Sequence, residues 1–148
     1  MIIHFICRGN VFRSRMAEAY LNSLKITDIQ AISSGALARQ YAGENTIIEQ
    51  DTISFLTKHG LEVFSKSHWN QLTQERVARA DLTICMTPLV KEECQGVAEL
   101  PGNTTTWNIT DVGDEGATPQ NKAELDDAYE QTFQKVTTKV DELIKQMP

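Results

Sequence analysis

The sequence predicts an α/β fold: a single-domain three-layer sandwich over 1–148, with a central four-stranded parallel sheet and helices on both faces. Three observations lead there. Short apolar and β-branched runs alternate along the chain with stretches of helical period. The first run, Ile2 to Ile6, is apolar apart from His4, as parallel strands covered on both faces are. Finally, 148 residues, 41% hydrophobic and 23% charged, suffice for one domain with a sizeable core.

Taken in order, Ile2 to Ile6 forms the first strand, with His4 packed within it or at an edge. A helix from Ser14 to Leu24 follows, carrying Met16, Tyr20, Leu21 and Leu24 near helical spacing. Ile29 to Ser33 is a second strand, closed by the turn signal Ser33-Ser34-Gly35. Ala36 to Asn45 has little periodicity and reads as a surface loop. A helix over Thr46 to His59 places Ile48, Thr52, Phe55 and Leu56 on one face and stops at Gly60. His59 near its end is a favourable placement of positive charge. Leu61 to Phe64 reads as a short extended piece. Thr73 to Arg79 reads as a short helix with a partial capping signature.

Leu82 to Met86 is the third strand, with Cys85 in its apolar core. Pro88 opens a short helix, because proline suits a first helical turn, and places Cys94 there as a partly buried residue. Thr104 to Trp107 is the fourth β-prone run. Val112 to Pro119 is an acidic, glycine-containing loop. The last helix, Asn121 to Met147, sets Leu125, Tyr129, Phe133, Val136, Val140, Leu143 and Ile144 on one stripe. The acidic residues from Glu124 to Glu142 are its solvated face.

Charge and cysteine content exclude several function classes. The net charge is -6, which argues against nucleic acid or an anionic membrane as partner. The N-terminus has no basic region ahead of a long apolar stretch, and no run approaches a membrane span, so a cytoplasmic protein is expected. Three cysteines, Cys7, Cys85 and Cys94, show no metal-ligand spacing and are an odd number, so neither a disulfide framework nor a metal or other cofactor is expected. The sequons at Asn103 and Asn108 have no meaning without export.

Against the acidic background, Arg8, Arg13 and Arg15 cluster in a stretch without a carboxylate. The segment is Cys7-Arg8-Gly9-Asn10-Val11-Phe12-Arg13-Ser14, set between the first strand and the first helix. A loop there turns backbone N–H groups inward to form a nest of positive potential for an oxyanion. An arginine at its far end can grip a tetrahedral anion with two parallel hydrogen bonds. The same field favours the thiolate of a cysteine at its centre. In open parallel sheets ligands sit beyond the carboxyl ends of the strands. Cys7 follows the first strand and Asp111 the last, so one sheet edge presents both.

These residues carry a resemblance. The loop, followed by Met16-Ala17-Glu18, then Ser33-Ser34-Gly35, Ala80 to Met86, and Asp111, resembles the low-molecular-weight protein tyrosine phosphatase family over nearly the whole length. That family's relatives include arginine phosphatases and thioredoxin-coupled arsenate reductases. The resemblance implies a phosphomonoesterase acting on phosphotyrosine in proteins. Cys7 would form a phosphocysteine, Arg13 would bind two phosphoryl oxygens, and Asp111 would act as general acid and then base. Arg8, Gly9, Asn10, Val11, Phe12, Arg13 and Ser14 would hold the phosphate. Asn10 would brace the loop in a left-handed turn, and Ser14 would hydrogen-bond the sulfur. Gln40, Tyr41 and Asp114 would form the substrate rim, with Tyr41 near the family's aromatic wall.

The departures bear on function too. Phe12 stands where the family usually has a second cysteine, so an oxidised Cys7 lacks that shielding partner. The usual Asp-Pro with aromatic followers is here Asp111-Val112-Gly113-Asp114-Glu115, and Asp114 competes with Asp111 for the role of acid. Val11 is aliphatic as in tyrosine phosphatases, whereas arginine phosphatases carry threonine. Arg8 takes a place usually small or apolar. The family's histidine falls on Ser67, next to His68, and no role is carried to it. Two other readings stand beside the first: arsenate reduction using Cys7 with Cys85 and Cys94, and a non-catalytic module that binds phosphate or phosphopeptide.

Overall fold

The computed structural model describes residues 1–41, 46–66, 68–112 and 119–147, with backbone alone at 46–49. Four parallel strands form one sheet: β1 (Ile2–Cys7), β2 (Gln30–Gly35), β3 (Leu82–Cys85) and β4 (Thr105–Thr106), in the order β2-β1-β3-β4. Register runs Ile3 beside Ala31 and Leu82, and Ile6 beside Ser34 and Cys85. The order reverses direction at β1. That leaves a crevice at the carboxyl ends of β1 and β3, where such sheets bind ligands.

The strand period of two divides the core into two layers. Ile3, Phe5 and Cys7 of β1, with Ile84 of β3, face a cluster built from α1 (Arg13–Ser23), α3 (Thr46–Lys58) and α6 (Lys122–Lys145). Ile6 and Cys85 face the other way, onto Val77 of α4 (Gln74–Arg79) and Val90 and Cys94 of α5 (Pro88–Gln95). Helices on both faces of a four-stranded parallel sheet are the sandwich that the alternation of runs predicts.

The N-termini of the helices differ. Thr73 caps α4, Thr87 caps α5 and Asn121 caps α6, each side-chain oxygen accepting a backbone N–H of the first turn. At α1 the cap position is Phe12, which offers no side-chain cap, and no carboxylate lies in the first turn. The positive end of α1 is thus left for something else.

Several expectations need correction. The stretch read as a loop from Ala36 contains a one-turn helix, α2 (Ala38–Tyr41), whose Ala38 is buried. The extended reading of Leu61 to Phe64 gives way to a 3₁₀ turn at Glu62–Phe64. The β-prone run at Thr104 to Trp107 pairs only at Thr105 and Thr106. Cys94 is fully buried, because it and Val90, four residues apart on α5, both face β3. His59 stays at the end of α3 as read, and there it also meets Glu130 of α6 at 2.9 Å and stacks on Phe133. Asp114 and Ser67 lie outside the described residues. Among those residues, no helix is long and apolar enough to cross a membrane.

Candidate active site

The loop from Arg8 to Phe12 joins β1 to α1 and places the Cys7 sulfur at the start of the uncapped helix. Two groups reach that sulfur. Ser14 Oγ lies 3.0 Å away, and the backbone N–H of Asn10 donates to Sγ at 3.2 Å. Asn10 holds φ at 54°, a left-handed value that asparagine tolerates better than most side chains.

Its side chain cross-links the site. Nδ2 donates to Ser14 Oγ at 2.8 Å and to Ser33 Oγ at 3.0 Å, while Oδ1 accepts the N–H of Asn70 at 2.8 Å. Asn10, Ser14 and Ser33 are all inaccessible to solvent. Buried polar groups are tolerated only when paired, and here the pairing fixes the loop.

Arg13 is buried, and its guanidinium crosses the mouth of the loop. Nη1 donates to the carbonyl of Ile109 at 2.9 Å, and Nη2 lies 3.6 Å from the Asp111 carboxylate. Asp111 is therefore brought to the loop from the far side of the sheet edge. Its side chain is 45% exposed and one oxygen accepts the N–H of Val112.

The remaining candidates divide by side-chain direction. Phe12 turns away from the anion site, its ring 4.2 Å from that of Tyr129 and 6.4 Å from that of Phe55. Its contribution to the loop is backbone and an apolar anchor between α3 and α6. The Arg8 side chain also leaves the loop centre. Its Nε donates to both carboxylate oxygens of Glu93 on α5, at 3.2 and 3.0 Å. Arg8 thus stands at the rim. Val11 is half-buried at the edge of the core. Tyr41 is half-buried and Gln40 exposed, both on α2.

Several residues at this site carry no signal in the local sequence. Gly35 is one. A Cβ there would stand 2.6 Å from Asn10 N and from Gly9 C, and 2.8 Å from Arg8 O. Only glycine lets β2 approach the loop this closely. Glu93, Asn70 and Lys66 also enter from distant parts of the chain. Lys66 Nζ meets Ser33 O at 2.6 Å, Ser33 Oγ at 2.5 Å and Glu18 Oε2 at 3.6 Å.

Arg76 runs beneath, donating to Ser33 O at 3.0 Å and Ser34 Oγ at 2.7 Å. On the same serine sits His4, fully buried in β1, with Nε2 2.8 Å from Ser34 Oγ. Burial first, and then Arg76, Lys66 and Arg79, push the His4 pKa down to about 3, so the ring is neutral at working pH. His4 is packed in a central strand, the first of the two placements its sequence position allows.

Cys85 and Cys94 lie in one cluster in the other core layer, and both are inaccessible. The contact with Cys85, and then burial, push the Cys94 thiol up.

Comparison with known proteins follows the same lines. A family model described as low molecular weight phosphotyrosine protein phosphatase matches residues 2–148. Over 91 residues the chain is 33% identical to a probable low molecular weight protein-tyrosine-phosphatase EpsP of Ralstonia nicotianae, covering 61% of this chain and 58% of that one. It is 31% identical over 86 residues to the low molecular weight phosphotyrosine protein phosphatase of Sus scrofa, covering 55% of this chain and 52% of that one. The matches therefore span only half to three fifths of these relatives. Among solved structures, Vibrio vulnificus Wzb in complex with benzylphosphonate is similar in fold, with a TM-score of 0.75 at 19% identity, covering 99% of this chain and 98% of that one.

Proposed function

Because the chain belongs to the low molecular weight phosphotyrosine protein phosphatase family, we propose that it hydrolyses phosphotyrosine in proteins through a phosphocysteine. The observation that carries this is one constellation. The Cys7 sulfur has two hydrogen-bonding partners at the uncapped start of α1, with Arg13 and Asp111 3.6 Å apart across the mouth.

In the first step the Cys7 thiolate attacks phosphorus, the S–P bond forms and the P–O bond to the aryl group breaks. The loop N–H groups and the Arg13 guanidinium take up the charge spread over the equatorial oxygens. An arriving phosphate dianion competes with Asp111 for Arg13. The carboxyl group is then placed to hand its proton to the leaving oxygen. In the second step the same carboxylate takes a proton from water, which attacks phosphorus and releases Cys7. Ser14 eases that departure by hydrogen-bonding the sulfur.

Substrate choice rests on the rim. Val11 gives the cleft an aliphatic contact and Tyr41 an aromatic one, both suited to an aryl ring. Arg8, held to α5 by Glu93, adds a positive charge beside the entrance, which suits a phosphopeptide with acidic neighbours.

The test is hydrolysis of an aryl phosphate, with the phosphoenzyme trapped by acid quench and mapped to Cys7. Cys7→Ser should lower turnover by on the order of 10³-fold or more. Phosphate binding without turnover by the native chain would replace this reading with that of a binding module. Arsenate reduction is the second enzyme reading, favoured by the presence of Cys85 and Cys94 in one core cluster. It requires thioredoxin-dependent turnover of arsenate that is lost on Cys94→Ser. Burial of both thiols weighs against it.

A further inference from the structure

Behind the loop, on the side away from the mouth, a cation enters a series of hydrogen bonds that ends at the nucleophile. Lys66 Nζ donates to Ser33 Oγ, which also accepts from Asn10 Nδ2. Asn10 Nδ2 donates in turn to Ser14 Oγ, which faces Cys7 Sγ. Direction matters in this series. An ammonium donates and never accepts, so with Asn10 it fills both lone pairs of the Ser33 hydroxyl. The Asn70 N–H on Asn10 Oδ1 holds the amide the same way round. Ser14 Oγ therefore accepts from Asn10, and its own proton is left for the Cys7 sulfur.

We propose that Lys66 is a positioning residue for phosphoryl transfer, which donates into this series at Ser33 and as a cation lends the Cys7 thiolate a positive charge from behind. The proposal rests on the reading of Cys7 as nucleophile.

The charge has reason to be felt. Lys66 keeps only 21% of its side chain exposed, and the groups between it and Cys7 are inaccessible, so water screens the field weakly. A groove of about 350 Å³ beside Ser65, Asn70 and Arg76 reaches it from the outer side, which lets the amine exchange its proton.

Other charged groups converge on the same amine. Glu18 and Arg15 face it from α1, Arg76 from α4, and Cys7 and the neutral His4 from β1. Burial is the largest influence and lowers the Lys66 pKa to about 8. Glu18 and Cys7 oppose the shift, while Arg76 and Arg15 add to it. Below pH 8 the cation is present; above it the hydrogen-bond direction, which Asn10 and Asn70 fix, stays the same, but the thiolate loses a neighbour of opposite sign.

The test reads the nucleophile directly, with no substrate. Alkylation of Cys7 by iodoacetamide is followed by peptide mass spectrometry from pH 5 to 9.5 in the native chain and in Lys66→Met. The variant should react about tenfold more slowly at pH 6, an order of magnitude ordinary for the loss of one nearby opposite charge, and converge with the native chain at pH 9.5. Protection by inorganic phosphate should weaken above pH 8 in the native chain and show no such step in the variant. Lys66→Arg should restore the native rate at pH 6 and, because a guanidinium keeps its charge to pH 9.5, should lack the step above pH 8.

Should Lys66→Met fail to fold because buried Glu18 loses its cation, the double variant Glu18→Gln/Lys66→Met removes both charges and serves in its place. Alkylation profiles that overlay the native one would overturn the proposal. So would equal slowing in Lys66→Arg, which would mark a packing effect instead of a charge. Failure of the phosphatase reading would show separately, as no turnover of aryl phosphate by the native chain while the alkylation profiles still differ.

Discussion

The two walls of the cleft are built on different terms. On one side, the loop after β1 is braced from beneath, with Asn10, Ser14 and Ser33 fully buried and each bonded to another of the set. On the other, Asp111 sits on a segment past the last strand, nearly half exposed, 3.6 Å from the guanidinium it faces. The first wall is set before any ligand arrives, which is what charge stabilisation in a transition state requires. The second stands open to solvent. Under the proposed mechanism, bond-making falls to the braced wall, and proton delivery to the exposed one.

The largest effect should come from the exposed wall alone. Asp111→Asn removes the acid and leaves the braced loop intact. With a poor leaving group such as an alkyl phosphate, or phosphotyrosine itself, kcat should fall by about 10²–10⁴. With an activated aryl phosphate the fall should be far smaller, and the denaturation midpoint should move little, since the side chain is exposed. Leaving-group plots for both proteins measure this. Parallel plots would remove Asp111 from the chemistry, and Asp114 would take its place as candidate.

Breaking the rigid wall should cost both activity and stability. Gly35→Ala puts a Cβ within 2.8 Å of three backbone atoms of the loop. Backbone cannot swing aside as a flexible side chain does, so the loop must shift. We expect about 3 kcal/mol of destabilisation, the upper end for overpacking a tight site, read by urea denaturation. Weaker binding of inorganic phosphate should accompany it. Full stability with weakened binding would mean the loop moves freely, which would erase the contrast between the two walls.

How far the chain itself declares these walls depends on the range of the contacts. Cys7, Asn10, Arg13 and Ser14 lie in one short segment between a strand and a helix, so the sequence names them together and local geometry does the rest. The strands are legible because apolar runs and burial coincide, as at Ile2 to Cys7. Glu93, Asn70 and Lys66 are not legible, because they reach residues 85, 60 and 33 positions away. No periodicity marks a lysine that will end inside. Gly35 shows as a turn signal, and only the packing of β2 against the loop reveals why glycine stands there. Short elements fail for a different reason. Ala38–Tyr41 and Glu62–Phe64 span too few residues for a helical period to emerge. Phe12, read as a departure from the family's second cysteine, acquires its reason from Tyr129 and Phe55, both remote in sequence.

The smallest effect we expect concerns the underside of the rigid wall, where His4 supports Ser34 as Ser33 supports Asn10. The folded chain holds His4 neutral, with its pKa lowered to about 3. In the unfolded chain a histidine titrates near its ordinary value of about 6.5. Between those two values the unfolded state binds a proton that the folded state refuses, so stability must fall as pH falls through that window. The slope is about 1.4 kcal/mol per pH unit, which gives about 2 kcal/mol between pH 6.5 and 5. Carboxylates titrate over part of the same range, so the native chain alone does not isolate the effect. His4→Gln keeps a side chain able to bond Ser34 and carries no titratable group. The difference in unfolding free energy between the two proteins, measured by urea denaturation at pH 7 and pH 5, should shift by about that amount in favour of the variant at pH 5. A constant difference would mean that the ring accepts its proton inside the fold, and that the wall beneath Cys7 is looser than the one opposite.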